Sequence, residues 1–238
     1  MQGRPRLTAC LTTLVPGVPG LGSAIVPGRG HAVHRAIVVV DIVDSTDPIR
    51  RNGDRLVIRD AMYEALSGAF RWPGWLKCYR EDRGDGALVL VPPGVPKDWL
   101  VTSLPERLEA ALARHNAAMA LQDATRAAAT QLRLRVAVNA GEVTFDRYGV
   151  VGAAIDYTFR LADALPLKTA FATSPDVCAL IVSDWFYDDV VFHHPDSRPD
   201  SYQHIDCRVK QTPVSAWMRV PVQTLSRKDQ TLTLKDTA

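Results

Sequence analysis

What this chain has little of narrows the field first. Cysteine is sparse, with only Cys10, Cys78, Cys178 and Cys207, and no two of them form a CxxC pair. That pattern argues against a zinc site and against a disulfide framework, and leaves buried free thiols in a reducing, cytoplasmic setting as the expectation. Net charge is nearly absent: 28 Lys and Arg against 26 Asp and Glu give +2, so no basic field marks a nucleic-acid partner. No apolar run approaches the roughly 20 residues of a membrane span. No internal repeat is present.

What remains is an ordinary globular composition, 47% hydrophobic and 23% charged over 238 residues, enough for one domain with extensions. Residues 1–34 are set apart. Arg4 and Arg6 precede an apolar run over 7–15, a leader-like pattern, but Pro16, Pro19 and Pro27 with intervening glycines interrupt it. A disordered Pro/Gly-rich extension over 1–34 is the expectation, followed by a domain over 35–222 and a flexible tail over 223–238.

Within the domain, residues 36–40 are a β-branched run that predicts a strand buried on both faces. Residues 56–70 carry helical spacing. Segments 77–80 and 87–91 flank the turn Arg83-Gly84-Asp85-Gly86, an Asp-Gly hairpin signal. A long amphipathic helix follows over 105–129, then an alternating strand over 133–143, a turn at 149–152 and a helix over 153–164. Residues 176–191 are expected to form one or two further helices. Segments 205–209 and 214–220 are expected to close the domain as a hairpin around Gln211-Thr212-Pro213. The order β-α-β-β-α-β with an added helix and hairpin predicts an α+β fold, a ferredoxin-like palm.

Two carboxylates stand out in that order. Asp41 closes the first strand and Asp85 lies in the hairpin turn of the next two. In such a palm these strands are neighbours, so the pair can converge as oxygen ligands for two Mg²⁺ or Mn²⁺ ions. Taken singly, each is an aspartate in a turn, where aspartate is common. The segment after Asp41 leaves a strand and is expected to enter a helix. Backbone N–H groups there make Asp44, Ser45 and Thr46 a candidate triphosphate cradle; ordinary N-capping by Ser45 or Thr46 is compatible with that role.

Five segments in one order resemble the class III adenylyl/guanylyl cyclases. Residues 40–46 (VDIVDST) are similar to the family's strand-loop F/V-D-I-x-G/D-S/F-T, and 83–86 (RGDG) to its x-G-D-G/A hairpin. Residues 134–143 (LRVAVNAGEV) resemble L-R-x-G-I-H-x-G-x-V. Residues 152–161 (GAAIDYTFRL) resemble G-x-x-V-N-x-A-x-R-L, and the segment from Val209-Lys210 to Trp217 the closing V-K-G hairpin. The resemblance implies the class III fold, a homodimer with shared sites, a nucleoside triphosphate substrate and two divalent ions. It implies that Asp41 and Asp85 bind the ions with the Ile42 carbonyl, that Arg160 neutralises the α-phosphate, and that Lys210 binds phosphate, Gln211 replacing the usual glycine.

Glu81 falls on the family's first base-reading position, where adenylyl cyclases carry Lys and guanylyl cyclases Glu. Gly149, with Tyr148 beside it, falls on the second, where adenylyl cyclases carry Asp. By charge pattern alone Glu81 is one member of the solvated run Arg80-Glu81-Asp82-Arg83. The family's ribose-orienting Asn is Asp156 here; an ionised carboxylate donates no hydrogen bond. Tyr79, Arg80, Arg83 and Tyr148 are bulky enough to narrow a base pocket. Within the family the short chain resembles the pyrimidine cyclases of bacterial Pycsar anti-phage systems, which signal to a separate cyclic-nucleotide-responsive effector. The expected activity is conversion of an NTP, UTP first, to a 3′,5′-cyclic NMP. The alternatives are a purine cyclase, or a cyclase-like dimerisation or nucleotide-sensing module. A diguanylate cyclase palm is disfavoured because its Gly-Gly-Asp/Glu-Glu-Phe signature is missing.

Overall fold

The computed structural model describes residues 30–72 and 74–219; the 7–15 run, Cys10 and the 223–238 tail lie outside them. Strand β1 (Ala32–Ile42) is central. Helix α1 (Asn52–Ala69), β2 (Tyr79–Asp82), β3 (Gly86–Val91), α2 (Ser103–Gln122), the short α3 (Ala127–Thr130) and β4 (Leu134–Phe145) complete the palm. Then come β5 (Val150–Val151), α4 (Ala153–Ala162), α5 (Leu165–Ala172), β6 (Cys178–Ser183), α6 (Asp184–Phe186), a π turn over Tyr187–Val191, β7 (Gln203–Val209) and β8 (Thr212–Arg219). One sheet runs β2-β3-β1-β4-β6-β8-β7, with β5 on the end of β4. Its first four strands have the ferredoxin-like order, and β1 is antiparallel to both β3 and β4.

Helices cover both faces, which is why β3, β6 and residues 36–40 of β1 are apolar and buried. Val38, Val40 and Ile42 pack with Ile58, Met62, Leu66, Leu104 and Leu108 beneath α1 and α2. Ile37 and Val39 face the other way, with Ile155, Leu161, Leu167 and Phe171 of α4 and α5. Strand alternation puts Asp41 on this second side.

Several local expectations are corrected. Residues 176–191 are helical only from Asp184 onward, and Cys178–Ser183 form a fully buried strand, β6, parallel to β4; a short apolar run has no period that separates a buried strand from a helix. The helix expected over 105–129 ends at Gln122. There Asp123 Oδ1 accepts from Thr125 N at 2.9 Å and Thr125 Oγ1 at 2.6 Å, a side-chain turn that competes with the helix. Helix α5, opened by a proline in its first turn, continues past the helix expected to stop at 164. Leu56 is 62% exposed, and the inner stripe of α1 runs through Ile58, Met62 and Leu66 instead. The closing turn is Lys210-Gln211, because Val209 pairs with Thr212. Pro213 sits inside β8, beyond the reach of the β6 ladder, where its missing N–H is tolerated. Residues 32–34, placed in the extension by sequence, are the start of β1. Val220, expected at the end of the last strand, is outside the described residues.

Cys78 and Cys178 are buried and free, with thiols pushed up to about 11 and about 12 by burial; Cys207 is free and partly exposed. Among the described residues no helix is long and apolar enough to cross a membrane.

One close approach sets the position of β3 against β1. A Cβ on Gly86 would run into the carbonyl oxygen of Val40, whereas one on Gly94, in the following loop, would meet nothing within 4 Å. Gly86→Ala is therefore expected to lose about 1–3 kcal/mol in urea unfolding, the range for a forced backbone shift, and Gly94→Ala much less. Equal losses from the two would show that the approach to Val40 is not what requires glycine.

Candidate active site

The β1–β3 pairing delivers the two sequence-flagged carboxylates to one end of the sheet. Asp41 is opposite Gly86, and Ile42 N donates to the Asp85 carbonyl at 2.9 Å, so the hairpin turn is tied to the end of β1. Ser45 Oγ donates to Asp85 Oδ2 at 2.9 Å. Helix α1 braces the same turn from outside. Arg59 pairs with Asp82 and donates to the Gly84 carbonyl at 2.5 Å, and Tyr63 Oη donates to Asp82 Oδ1 at 3.1 Å. Asp82 is thereby held below the usual carboxylate range, chiefly by Arg59. Sequence reasoning had no signal for this brace beyond charge in an amphipathic helix.

Asp41 and Asp85 are close enough to repel. The Asp41 carboxyl is raised above its ordinary value, first by burial, with Arg135 opposing and Asp85 adding to the rise. Arg135 is directly across from Asp41 in the β1–β4 register and pairs with it. Lys168 of α5 also adds positive potential there, while its Nζ holds Asp163 at 2.7 Å. Neither Arg135 nor Lys168 was singled out from the sequence. Strand register is the signal that identifies Arg135, and it requires knowing that β1 and β4 are neighbours.

The donor set suits hard divalent cations: two converging carboxylates with an adjacent backbone carbonyl at Ile42. Among the described residues no group of three or more His, Cys, Asp and Glu forms a closed cage. A two-carboxylate set leaves coordination positions for phosphate oxygens. The repulsion between Asp41 and Asp85 calls for a cation, and Arg135 supplies that charge in the chain alone. The residues thus fit a metal pair, provided Arg135 yields its hold on Asp41.

The 43–46 segment differs from expectation. It forms a turn, and α1 starts only at Asn52, capped by Asp54 Oδ2 accepting from Arg51 N at 2.7 Å. Neither Ser45 nor Thr46 caps a helix. Asp44 is exposed in the left-handed region with φ 53°, Thr46 is exposed, and Ser45 turns to Asp85. Buried Arg50 supports the turn through the Val43 and Gln131 carbonyls at 3.3 and 3.1 Å.

A second group gathers at the other side of the hairpin. Glu81 accepts from Tyr79 Oη at 2.5 Å through Oε1 and from Arg83 through Oε2. Gly149 meets this pair: with φ +154°, a Cβ there would lie 2.5 Å from Glu81 Oε1. Asp146 Oδ1 holds that turn, accepting from Gly149 N at 2.9 Å. Glu81 and Gly149, the two positions that the resemblance gives for base reading, therefore come together. Tyr148 does not join them; it is 79% exposed and lies under the Arg147 guanidinium at 4.4 Å. Arg80 points to the opposite face of β2, stacked at 4.5 Å on Trp75, as strand alternation requires. It does not narrow the Glu81 group.

Asp156 and Arg160 lie one turn apart on α4, Asp156 exposed and Arg160 partly so. Among the described residues neither has an ion-pair partner. Lys210 is exposed at the β7–β8 turn with φ 56°, and no hydrogen bond or ion pair joins it to the Asp41 group.

No family model matches the sequence, and no curated protein matches it. Among solved structures, the chain is similar to the guanylyl cyclase Cya2, with a TM-score of 0.55 and 16% identity over 84% of this chain and 98% of that one. It is also similar to a bacterial light-regulated adenylyl cyclase, with a TM-score of 0.52 and 12% identity over 86% of this chain and 57% of that one.

Asp41 supplies a prediction with a definite sign. Because its folded-state pKa is raised, its protonated form stabilises the fold; that contribution is complete below about 3.9 and is lost as pH rises through the folded value. In chelator, Asp41→Asn is expected to melt higher than the parent chain at pH 7, with the gap closing as pH falls toward 4. Mn²⁺ should raise the melting temperature of the parent and leave Asp41→Asn nearly unmoved. A variant that melts lower at pH 7 would mean that Arg135 outweighs burial and repulsion.

Proposed function

We propose that this chain, which has the fold of class III nucleotide cyclase catalytic domains, is itself a nucleotide cyclase. It converts an NTP to a 3′,5′-cyclic NMP and diphosphate. The observation that carries this reading is the convergence of Asp41 and Asp85, tied by the Ile42–Asp85 backbone bond and by Ser45.

In the reaction the ribose 3′-oxygen forms a bond to the α-phosphorus as the bond to the diphosphate oxygen breaks, and the hydroxyl proton leaves to solvent. Asp41, Asp85 and the Ile42 carbonyl would hold divalent ions, which would supply stabilisation of the deprotonated oxygen and offset phosphate charge. Ser45 keeps Asp85 oriented. Arg135 and Lys168 keep positive potential beside Asp41; on this reading Arg135 passes from the carboxylate to a phosphate when substrate binds. Arg160 serves as the α-phosphate cation, and Lys210 as a further phosphate contact. Asp44, Ser45 and Thr46 line the phosphate side.

The site is completed by a second copy of the chain, Asp41 and Asp85 from one and Glu81, Asp156 and Arg160 from the other. The unpartnered Asp156 and Arg160 on α4 support this. The finer reading is a uridylate cyclase of the Pycsar type, serving a separate effector: Glu81 accepts from the N–H of uracil or guanine, and finds none on the ring nitrogens of adenine or cytosine that face it. Tyr79, packed at the Glu81 carboxylate, favours the single ring.

A specific observation favours a second reading, a nucleotide-sensing module: Arg135 holds a carboxylate the metals need, and Asp156 replaces a hydrogen-bond donor. Incubation with each of the four NTPs and Mn²⁺, read as cyclic product and diphosphate, separates the two. UTP is expected to lead, then GTP, with ATP and CTP poor. Binding without turnover of any NTP selects the sensor. Mixing Asp41→Ala with Arg160→Ala chains is expected to restore about one working site per heterodimer. If both variants stay inert when mixed, the shared site is wrong.

A further inference from the structure

We infer that Arg83 is a base-reading residue, donating to the base carbonyl adjacent to the N–H that Glu81 accepts; this rests on the cyclase reading above. Three observations converge on it. First, Arg83 is held: one nitrogen pairs with Glu81 Oε2, and the guanidinium lies 5.2 Å from the centre of the Phe159 ring. Phe159 immediately precedes Arg160 on α4, so the hairpin tip packs against the helix that carries the proposed α-phosphate cation. Second, the guanidinium is the accessible member of the group. Its side chain is 41% exposed against 21% for Glu81, and a single bond to Glu81 leaves most of its five donors free. Third, Glu81 is pinned from behind. Tyr79 donates to its Oε1, and the Tyr79 hydroxyl is pushed upward by burial and then by Glu81, so it stays a donor.

The result is an acceptor beside a donor on a fixed scaffold. An ionised Glu81 retains lone pairs beyond the two it uses. The complementary base edge is an N–H beside a C=O. Uracil presents it at N3 and O4, and guanine at N1 and O6. Cytosine and adenine reverse the pattern, with a bare ring nitrogen beside an amine; each would set an amine against the guanidinium and a lone pair against the carboxylate. Without Arg83, Glu81 alone would still reject that bare nitrogen, so the two residues make separable contributions. Gly149 is what lets the scaffold close, since any side chain there would displace Glu81 Oε1.

The test compares Arg83→Ala and Arg83→Gln with the parent chain, measuring kcat/KM for all four NTPs and the melting temperature of each protein. Loss of a hydrogen bond to a charged donor corresponds to a drop on the order of 10- to 100-fold. For Arg83→Ala that drop is expected for UTP and GTP, with CTP and ATP falling much less, so that the UTP-to-CTP ratio shrinks by a similar factor. Arg83→Gln, which keeps a donor, should recover part of the UTP rate. A proportional fall for all four NTPs, or no change, overturns the assignment. If the parent cyclises no NTP, the cyclase reading fails by itself. Equilibrium titration of UTP and CTP onto parent and Arg83→Ala then decides the present inference: an unchanged affinity ratio rejects it, and a narrowed one supports it.

Discussion

The structure depends on the fact that β1 is paired along both edges and buried on both faces. A strand so placed has its backbone groups satisfied by neighbours and its side chains enclosed by two helical layers. Beyond its buried run over 36–40, it offers a carboxylate at its C-terminal end. Asp41 sits there, next to a turn that β3 cannot place without a glycine at 86. The carboxylate is thus held in a partly dry, rigid setting. A charge so placed is costly unless something positive stands against it.

That cost organises the rest of the site. Arg135 answers it from the next strand, Lys168 adds potential from α5, and Ser45 fixes the neighbouring carboxylate. The Glu81 group follows a different logic. Its charges are already balanced within the hairpin, and its geometry is set by Tyr79, Gly149 and Phe159. One region is electrostatically incomplete without a ligand; the other is preorganised before one arrives.

Much of this was legible in the sequence because it is local. The β-branched run of β1, the Asp-Gly hairpin and the amphipathic α2 each carry their own period or turn signal. From their order the palm follows, and with it the meeting of Asp41 and Asp85. What was not legible depends on register or on competition. Arg135 faces Asp41 only once β4 is placed beside β1. Residues 178–183 are a strand because neighbours enclose them, not because their pattern differs from a helix. Tyr148, next to Gly149 in sequence, and Arg80, next to Glu81, are carried elsewhere by a turn and by strand alternation. The Lys210-Gln211 turn replaced the expected Pro213 turn because the ladder continues to Thr212.

The central position of β1 also governs how the chain must assemble during synthesis. Val38 pairs with Val89 on one edge and with Val138 on the other. The first partner emerges some fifty residues later, and the second some hundred. At a synthesis rate of about 5–20 residues per second, the wait for β4 is about 5–20 s. Through that interval the buried β-branched run over 36–40 has an open edge. Such non-local pairing slows folding and exposes a template for association with other chains, so the segment that later positions Asp41 is one that benefits from chaperone cover as it is made.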